Sequence, residues 1–399
     1  MPGPLTGVRV IDLTSIVMGP YATQILGDMG ADVIKVETPE GDAFRHVTPF
    51  RNQGMSAAFL NLNRNKRSVA LDLKHEDERQ ALLDLLSGAD VFVTTVRPQS
   101  MRRLGLDYES LRERNPRLIY CGAYGFSEEG PYAGRPAFDD IIQAMCGIAS
   151  LQGLRGPQGE SQGENAPNGP RYVNTVFADK TVGCVIAFAV AMALYERERS
   201  GRGQAIEVPM FETMVSFTLI EHLAGETFCP ALESMGYERV LSEYRKPYRT
   251  KDGYIGLLPY TAEQWARFFE AAGRPEMAAD PRVTDPALRS QSINELYGLL
   301  ALIVAERTTA EWVELLGAAD LPVTPVLSPE NLLDDEHLQA IGFFRREEHP
   351  SEGEVRTIGI PVRFSRTPGA VRRLAPRLDE HREEILQEAI GARRHDSES

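Results

Sequence analysis

An aspartate stands at the head of a long apolar run. Arg171–Pro209 reads RYVNTVFADKTVGCVIAFAVAMALYERERSGRGQAIEVP, with Asp179 followed directly by Lys180 and Thr181. Two chemistries fit a carboxylate at a helix mouth. It can cap the helix by accepting amide hydrogen bonds. It can instead be held ionised by the helix dipole and poised as a nucleophile. The stretch alone leaves both open. Basic residues form two clusters nearby in the chain: Arg64, Lys66 and Arg67 within NLNRNKRSVALDLK, then Arg97, Arg102 and Arg103. The first is either a solvated turn or a contact to phosphate, whose oxygens take charge-assisted bonds from Lys and Arg.

The elements that must carry these residues follow from periodicity. Val182–Leu194 holds no charge, yet is shorter than the ~20 residues that cross a bilayer. It predicts a buried helix, closed by the charged turn Glu196–Arg199 and the Gly201/Gly203 break, before a strand at Ala205–Val208. Upstream, Gly7–Leu13, a helix over Tyr21–Met29 and Asp32–Glu37 make a βαβ unit. Glu37 lies where a dinucleotide fold places its ribose acid, but the loop Thr14–Pro20 contains no GxGxxG, which argues against a dehydrogenase. A helix over Glu76–Ser87, strands at Ala89–Val96 and Leu118–Tyr124, and a helix over Ala137–Leu151 continue the α/β alternation.

Gln152–Pro170, rich in Gly, Gln, Asn and Pro, predicts a mobile loop. Another apolar helix runs to about Phe228. Beyond it the pattern changes: a hairpin over Tyr248–Pro259 turned at Lys251–Gly253, then helices near 262–272, 290–305 and 309–317. Leu321–Leu327 (LPVTPVL) reads as a connector, and a helix over Asp379–Ile390 precedes a polar tail.

With 399 residues and 42% hydrophobic content the chain can bury a substantial core. A net charge of −14 argues against a general nucleic-acid surface, so an anionic ligand needs local Lys/Arg clusters. Cys121, Cys146, Cys184 and Cys229 are widely spaced, with no CxxC pair or zinc spacing, and read as reduced core residues with no metal. The N-terminus lacks a basic n-region and cleavage site, so a soluble cytoplasmic protein without membrane attachment is the expectation.

Several segments now assemble in order. PLTGVRVIDLTSIVMGPYATQILGDMGADVIKVETPEGDAFR, NRNKRSVALDLK, RPQSMRRLGLDYESLRERNPRLIYCGAYGF, FDDIIQAMCG, the Asp179 helix with SGRGQAIEV, LPVTPV and PRLDEH span nearly the whole chain. Together they resemble the family III CoA-transferases, a superfamily that includes formyl-CoA transferase, carnitine CoA-transferase and α-methylacyl-CoA racemase. The resemblance implies an α/β fold: a Rossmann-like large domain over 1–215 and 326–399, an inserted smaller α+β domain over 230–325, and an interlocked homodimer. It implies that Asp179 is the nucleophile, with CoA or acyl-CoA as substrate, a carboxylic acid as second substrate and no permanently bound cofactor. CoA contacts carry over to Val17 and Met18, to Leu71, Asp72 and Lys74, and to Thr95, Val96 and Arg97. They continue at Arg103 and over the strip Arg135, Pro136, Ala137 and Phe138.

Departures narrow the activity. Val17 stands where formyl-CoA transferase has glutamine, Thr38 where it has arginine, and no glycine-rich run precedes Tyr248. The racemase branch carries a His-Asp pair where this chain has Phe138-Asp139, and phenylalanine cannot exchange a proton. Asp139 then reads either as an active-site acid or as a cap on the helix that follows it. Racemisation of acyl-CoA is the alternative on the same scaffold, and CoA binding without turnover is a third reading.

Overall fold

The computed structural model describes residues 3–153 and 169–398, so most of the loop expected at Gln152–Pro170 lies outside the described residues. The chain forms two compact units. One comprises Met1–Ala149, Tyr172–Thr218 and Ala340–Ser399; the other comprises Ser150–Arg171 and Leu219–Gln339.

In the first unit six strands form one parallel sheet: β1 (Arg9–Leu13), β2 (Asp32–Glu37), β3 (Lys66–Ala70), β4 (Val91–Thr94), β5 (Ile119–Tyr124) and β6 (Ala205–Pro209). Their order is β3-β2-β1-β4-β5-β6, the doubly wound Rossmann arrangement, with its switch point between β1 and β4. Both faces are covered, so the central strands are buried on both sides, their β-branched residues joined by a few buried charges such as Asp12 and Lys35. Val10 packs on one face with the helices Met18–Asp28 and Phe177–Ser200; its neighbour Ile11 packs on the other with the helix Glu76–Ser87 and Ile385.

The Phe177–Ser200 helix is longer than its uncharged run predicts. Glu196–Arg199 continue the helix, which ends at Gly201 in the left-handed conformation that glycine adopts freely (φ 74°). At 24 residues it is long and apolar enough, by length and composition alone, to cross a bilayer. Here one face packs in the core of the first unit. Gly183 permits the close approach: a Cβ there would meet the Met18 carbonyl oxygen at 2.9 Å. The helix expected over Ala137–Leu151 is two, Asp139–Met145 and Ile148–Gln152, broken at Gly147 (φ 89°).

The second unit carries a three-stranded antiparallel sheet of Tyr248–Arg249, Tyr254–Leu257 and Val323–Pro325. The segment read as a connector therefore supplies a strand. The helices Ala262–Ala271 and Thr309–Ala318 both start with capping boxes, Thr261 with Gln264 and Thr308 with Glu311. Trp265, Phe268, Tyr297 and Trp312 centre its core. Of the cysteines, Cys121 and Cys146 are buried as expected, whereas Cys184 and Cys229 are exposed.

Candidate active site

In an open parallel sheet, the crevice at the switch point lies beyond the carboxyl ends of the strands. The 14–20 loop, whose last three residues already form the first turn of the Met18–Asp28 helix, leaves β1 there, and Thr95–Arg97 leave β4 beside it, joined by the Thr95 amide donating to the Leu13 carbonyl (3.4 Å). Leu71–Lys74 leave β3 at the same edge, and Arg135–Phe138 lie between β5 and the Asp139–Met145 helix. The Phe177–Ser200 helix runs back between the parallel strands β5 and β6, so its amino end faces this edge. Topology thus brings these segments to one side of the sheet.

Asp179 lies in the first turn of that helix and is 9% exposed. It is not the cap: Val176 holds that position without a side-chain bond. Nor is the carboxyl held ionised by the helix amino end. Burial first, and the Asp139 carboxylate second, push its pKa up to about 7.

Asp139 does not cap its own helix either. Its Oδ1 accepts the backbone N–H of Asp179 (2.9 Å), and its Oδ2 accepts Gln143 Nε2 (2.5 Å). Gln143, fully buried, accepts the Val173 amide through Oε1 (2.9 Å). One carboxylate therefore fixes the backbone at residue 179 and opposes the charge of its side chain. This pairing over forty positions has no local sequence signal.

The basic residues divide sharply. Arg64, Lys66 and Arg67 are neither a solvated turn nor free for phosphate. Each is buried and ion-paired: Arg64 to Asp28 (2.6 Å), Lys66 to Asp12 (3.0 Å), and Arg67 to Asp32 (2.6 Å) and Glu388 (2.8 Å). Glu37 is likewise engaged, by Arg45 at 2.7 and 2.8 Å and by the Ser68 hydroxyl. Lys74, Arg97, Arg103 and Arg135 are exposed and make no salt bridge among the described residues. Arg103 donates to Ser100 Oγ (3.1 Å), and the Arg135 guanidinium lies over the Tyr132 ring. Val17, Met18 and Leu71 are buried; Asp72, Thr95, Val96 and Ala137 are half-buried; Pro136 and Phe138 are exposed.

Sequence reasoning missed what lies behind the 14–20 loop. Asp12, Lys35 and Lys66 are wholly buried, as is most of Asp42, and all bond the loop or its flanks. The available signal was charge inside otherwise apolar strands: Asp12 within RVIDL and Lys35 within DVIKVE.

The chain is similar to known proteins over almost its whole length. The model of CoA-transferase family III matches residues 5–382. A succinyl-CoA:mesaconate CoA-transferase from Haloarcula hispanica is 34% identical, over 97% of this chain and 96% of that protein. The orthorhombic crystal structure of a protein from M. tuberculosis superposes with a TM-score of 0.80 at 31% identity, covering 96% of this chain and 99% of that one. A CAIB/BAIF family protein from Brucella suis gives 0.78 at 29% identity, over 98% and 100%. These relatives do not favour the racemase alternative. A match that runs almost end to end makes the chain a member of CoA-transferase family III and an enzyme that transfers CoA.

Proposed function

We propose that the enzyme moves CoA between two carboxylic acids through a thioester formed on Asp179. A carboxylate oxygen of Asp179 attacks the acyl-CoA carbonyl, the C–S bond breaks and CoA leaves as thiolate, giving a mixed anhydride. The thiolate attacks the aspartyl carbonyl, releasing the first acid and leaving an aspartyl-CoA thioester. The second carboxylate attacks that thioester and displaces thiolate. The thiolate then takes the new acyl group and restores Asp179. Each step exchanges one anion for another, and the thioester's energy is conserved. The anhydride must be kept from water, and the oxyanions need preorganised donors.

The observation that carries this reading is the carboxyl of Asp179, shielded from solvent in the first turn of a helix whose amino end meets the switch-point edge. Lys74, Arg97, Arg103 and Arg135, which form no salt bridge among the described residues, are the proposed contacts to CoA, with Val17, Met18, Leu71, Asp72, Thr95, Val96 and Pro136–Phe138 around it. Incubation with acyl-CoA alone tests the mechanism by intact mass. A CoA adduct that hydroxylamine removes is expected in the wild type and absent in Asp179→Ala; an adduct persisting in the variant moves the nucleophile elsewhere. Succinyl-CoA is the first donor to offer, since the Haloarcula relative carries it in its name.

We also propose a homodimer in which the subunits interlock, with the small domain inserted in the large one. Support for a partner comes from the outer face of the Phe177–Ser200 helix. Cys184, Phe188, Met192 and Tyr195 follow one stripe at helical spacing, with Met192 65% and Tyr195 70% exposed. Support for the insertion is the return of the chain to the first unit at Ala340. A soluble, cytoplasmic enzyme fits these substrates.

A further inference from the structure

The loop 14–20 is tied down by buried charge to an unusual degree. The Lys35 ammonium donates to the Thr14 carbonyl (2.9 Å) and to Asp42 Oδ2 (2.9 Å). Asp42 accepts the Ile16 amide at 3.1 and 3.2 Å. At the other end Lys66 donates to the Pro20 carbonyl (2.9 Å) and to Asp12, whose carboxylate also accepts the Thr14 amide and the Thr23 hydroxyl. The start and middle of the loop, and the first turn of the Met18–Asp28 helix into which it runs, are thus bonded to buried ions.

Ile16 sits in the left-handed region (φ 71°), which a β-branched residue rarely adopts. It directly precedes Val17 and Met18. Burying two ion pairs gives little stability that apolar residues of the same volume would not also give. Their geometric effect is specific: they hold a strained turn in one conformation at the switch point.

We propose that Asp12, Lys66, Lys35 and Asp42 are positioning residues for substrate, and that they fix the 14–20 loop through the Ile16 turn so that it receives CoA without having to order on binding. Ordering a loop on association weakens affinity, and a loop held in advance avoids that loss. The inference rests on the assignment of Val17 and Met18 as CoA contacts.

The experiment measures binding of desulfo-CoA by calorimetry to the full-length enzyme, with thermal unfolding recorded alongside. Asp42→Ala removes the acceptor for the Ile16 amide, whereas Asp42→Asn keeps one. About tenfold weaker binding in the first and substantial recovery in the second are expected. Ile16→Gly reaches the same point without a buried charge, because glycine relieves the strain while freeing the loop. It is expected to bind about tenfold more weakly at an unchanged or higher melting temperature. Wild-type affinity in Asp42→Ala and Ile16→Gly overturns the inference and leaves the network a structural one. Val17→Trp separates the two layers: if it binds desulfo-CoA as the wild type does, the loop is not a CoA contact and the underlying assignment fails.

Discussion

A buried carboxyl whose pKa is raised has opposite effects on chemistry and on stability. Asp179 goes from 3.8 to about 7, through burial and then through Asp139. The folded chain therefore binds that proton more tightly than the unfolded chain, and this group makes stability fall as pH rises from about 4 to about 7. Above that window the loss is at most roughly 4 kcal/mol, at ~1.4 kcal/mol per tenfold change in acidity. Asp179→Asn should raise the melting temperature at pH 8, with the gain shrinking toward pH 4; a gain independent of pH would mean the carboxyl is not strained by its surroundings. In the proposed mechanism Asp179 attacks in its ionised form, so kcat/KM should rise with pH to a limb near 7. Asp139→Asn keeps an acceptor for the Asp179 amide but removes the neighbouring charge. Its limb should move to lower pH, only part of the way, since burial remains. An unmoved limb would assign it to another group.

At the scale of elements, the site depends on two helices from distant parts of the chain lying unusually close. Gly183 is the point of contact, and a methyl there would meet both the Met18 carbonyl and the Tyr21 ring. Gly183→Ala should destabilise the protein by ~1–3 kcal/mol, as overpacking does, and lower activity by shifting Asp179 relative to the 14–20 loop. Unchanged unfolding and turnover would show that the helices have slack. Elements like these were legible where period and punctuation agree: β2 and the Glu76–Ser87 helix begin and end where the residues predict. Boundaries set by tertiary packing were not. Glu196–Arg199 look like a stop signal, yet Arg197 is buried and bonded to Asp90 (2.8 Å), which draws the helix onward. The basic cluster at 64–67 misled for a similar reason. Its partners Asp12, Asp28 and Asp32 come from other elements, and charge alone does not reveal whether a counter-ion waits in the fold.

For the whole molecule, composition and segment order sufficed for class and family, because a doubly wound sheet needs only the right alternation of buried strands and helices. Assembly is where a single chain says least, and there the exposed stripe of the Phe177–Ser200 helix is informative. A stable monomer rarely leaves so continuous an apolar face in water. Met192→Glu with Tyr195→Glu should shift sedimentation toward the monomer, with activity falling alongside. A double variant that still sediments as a dimer would assign the stripe to something other than subunit contact.

The bond from the Asp179 amide to Asp139 ties together two residues forty positions apart within the long crossover that joins β5 to β6. Burial and the Asp139 charge are what raise the pKa of Asp179, so the same residue has its ordinary acidity wherever that crossover is not docked. The raised pKa is thus a property of the folded crossover and not of the residue type.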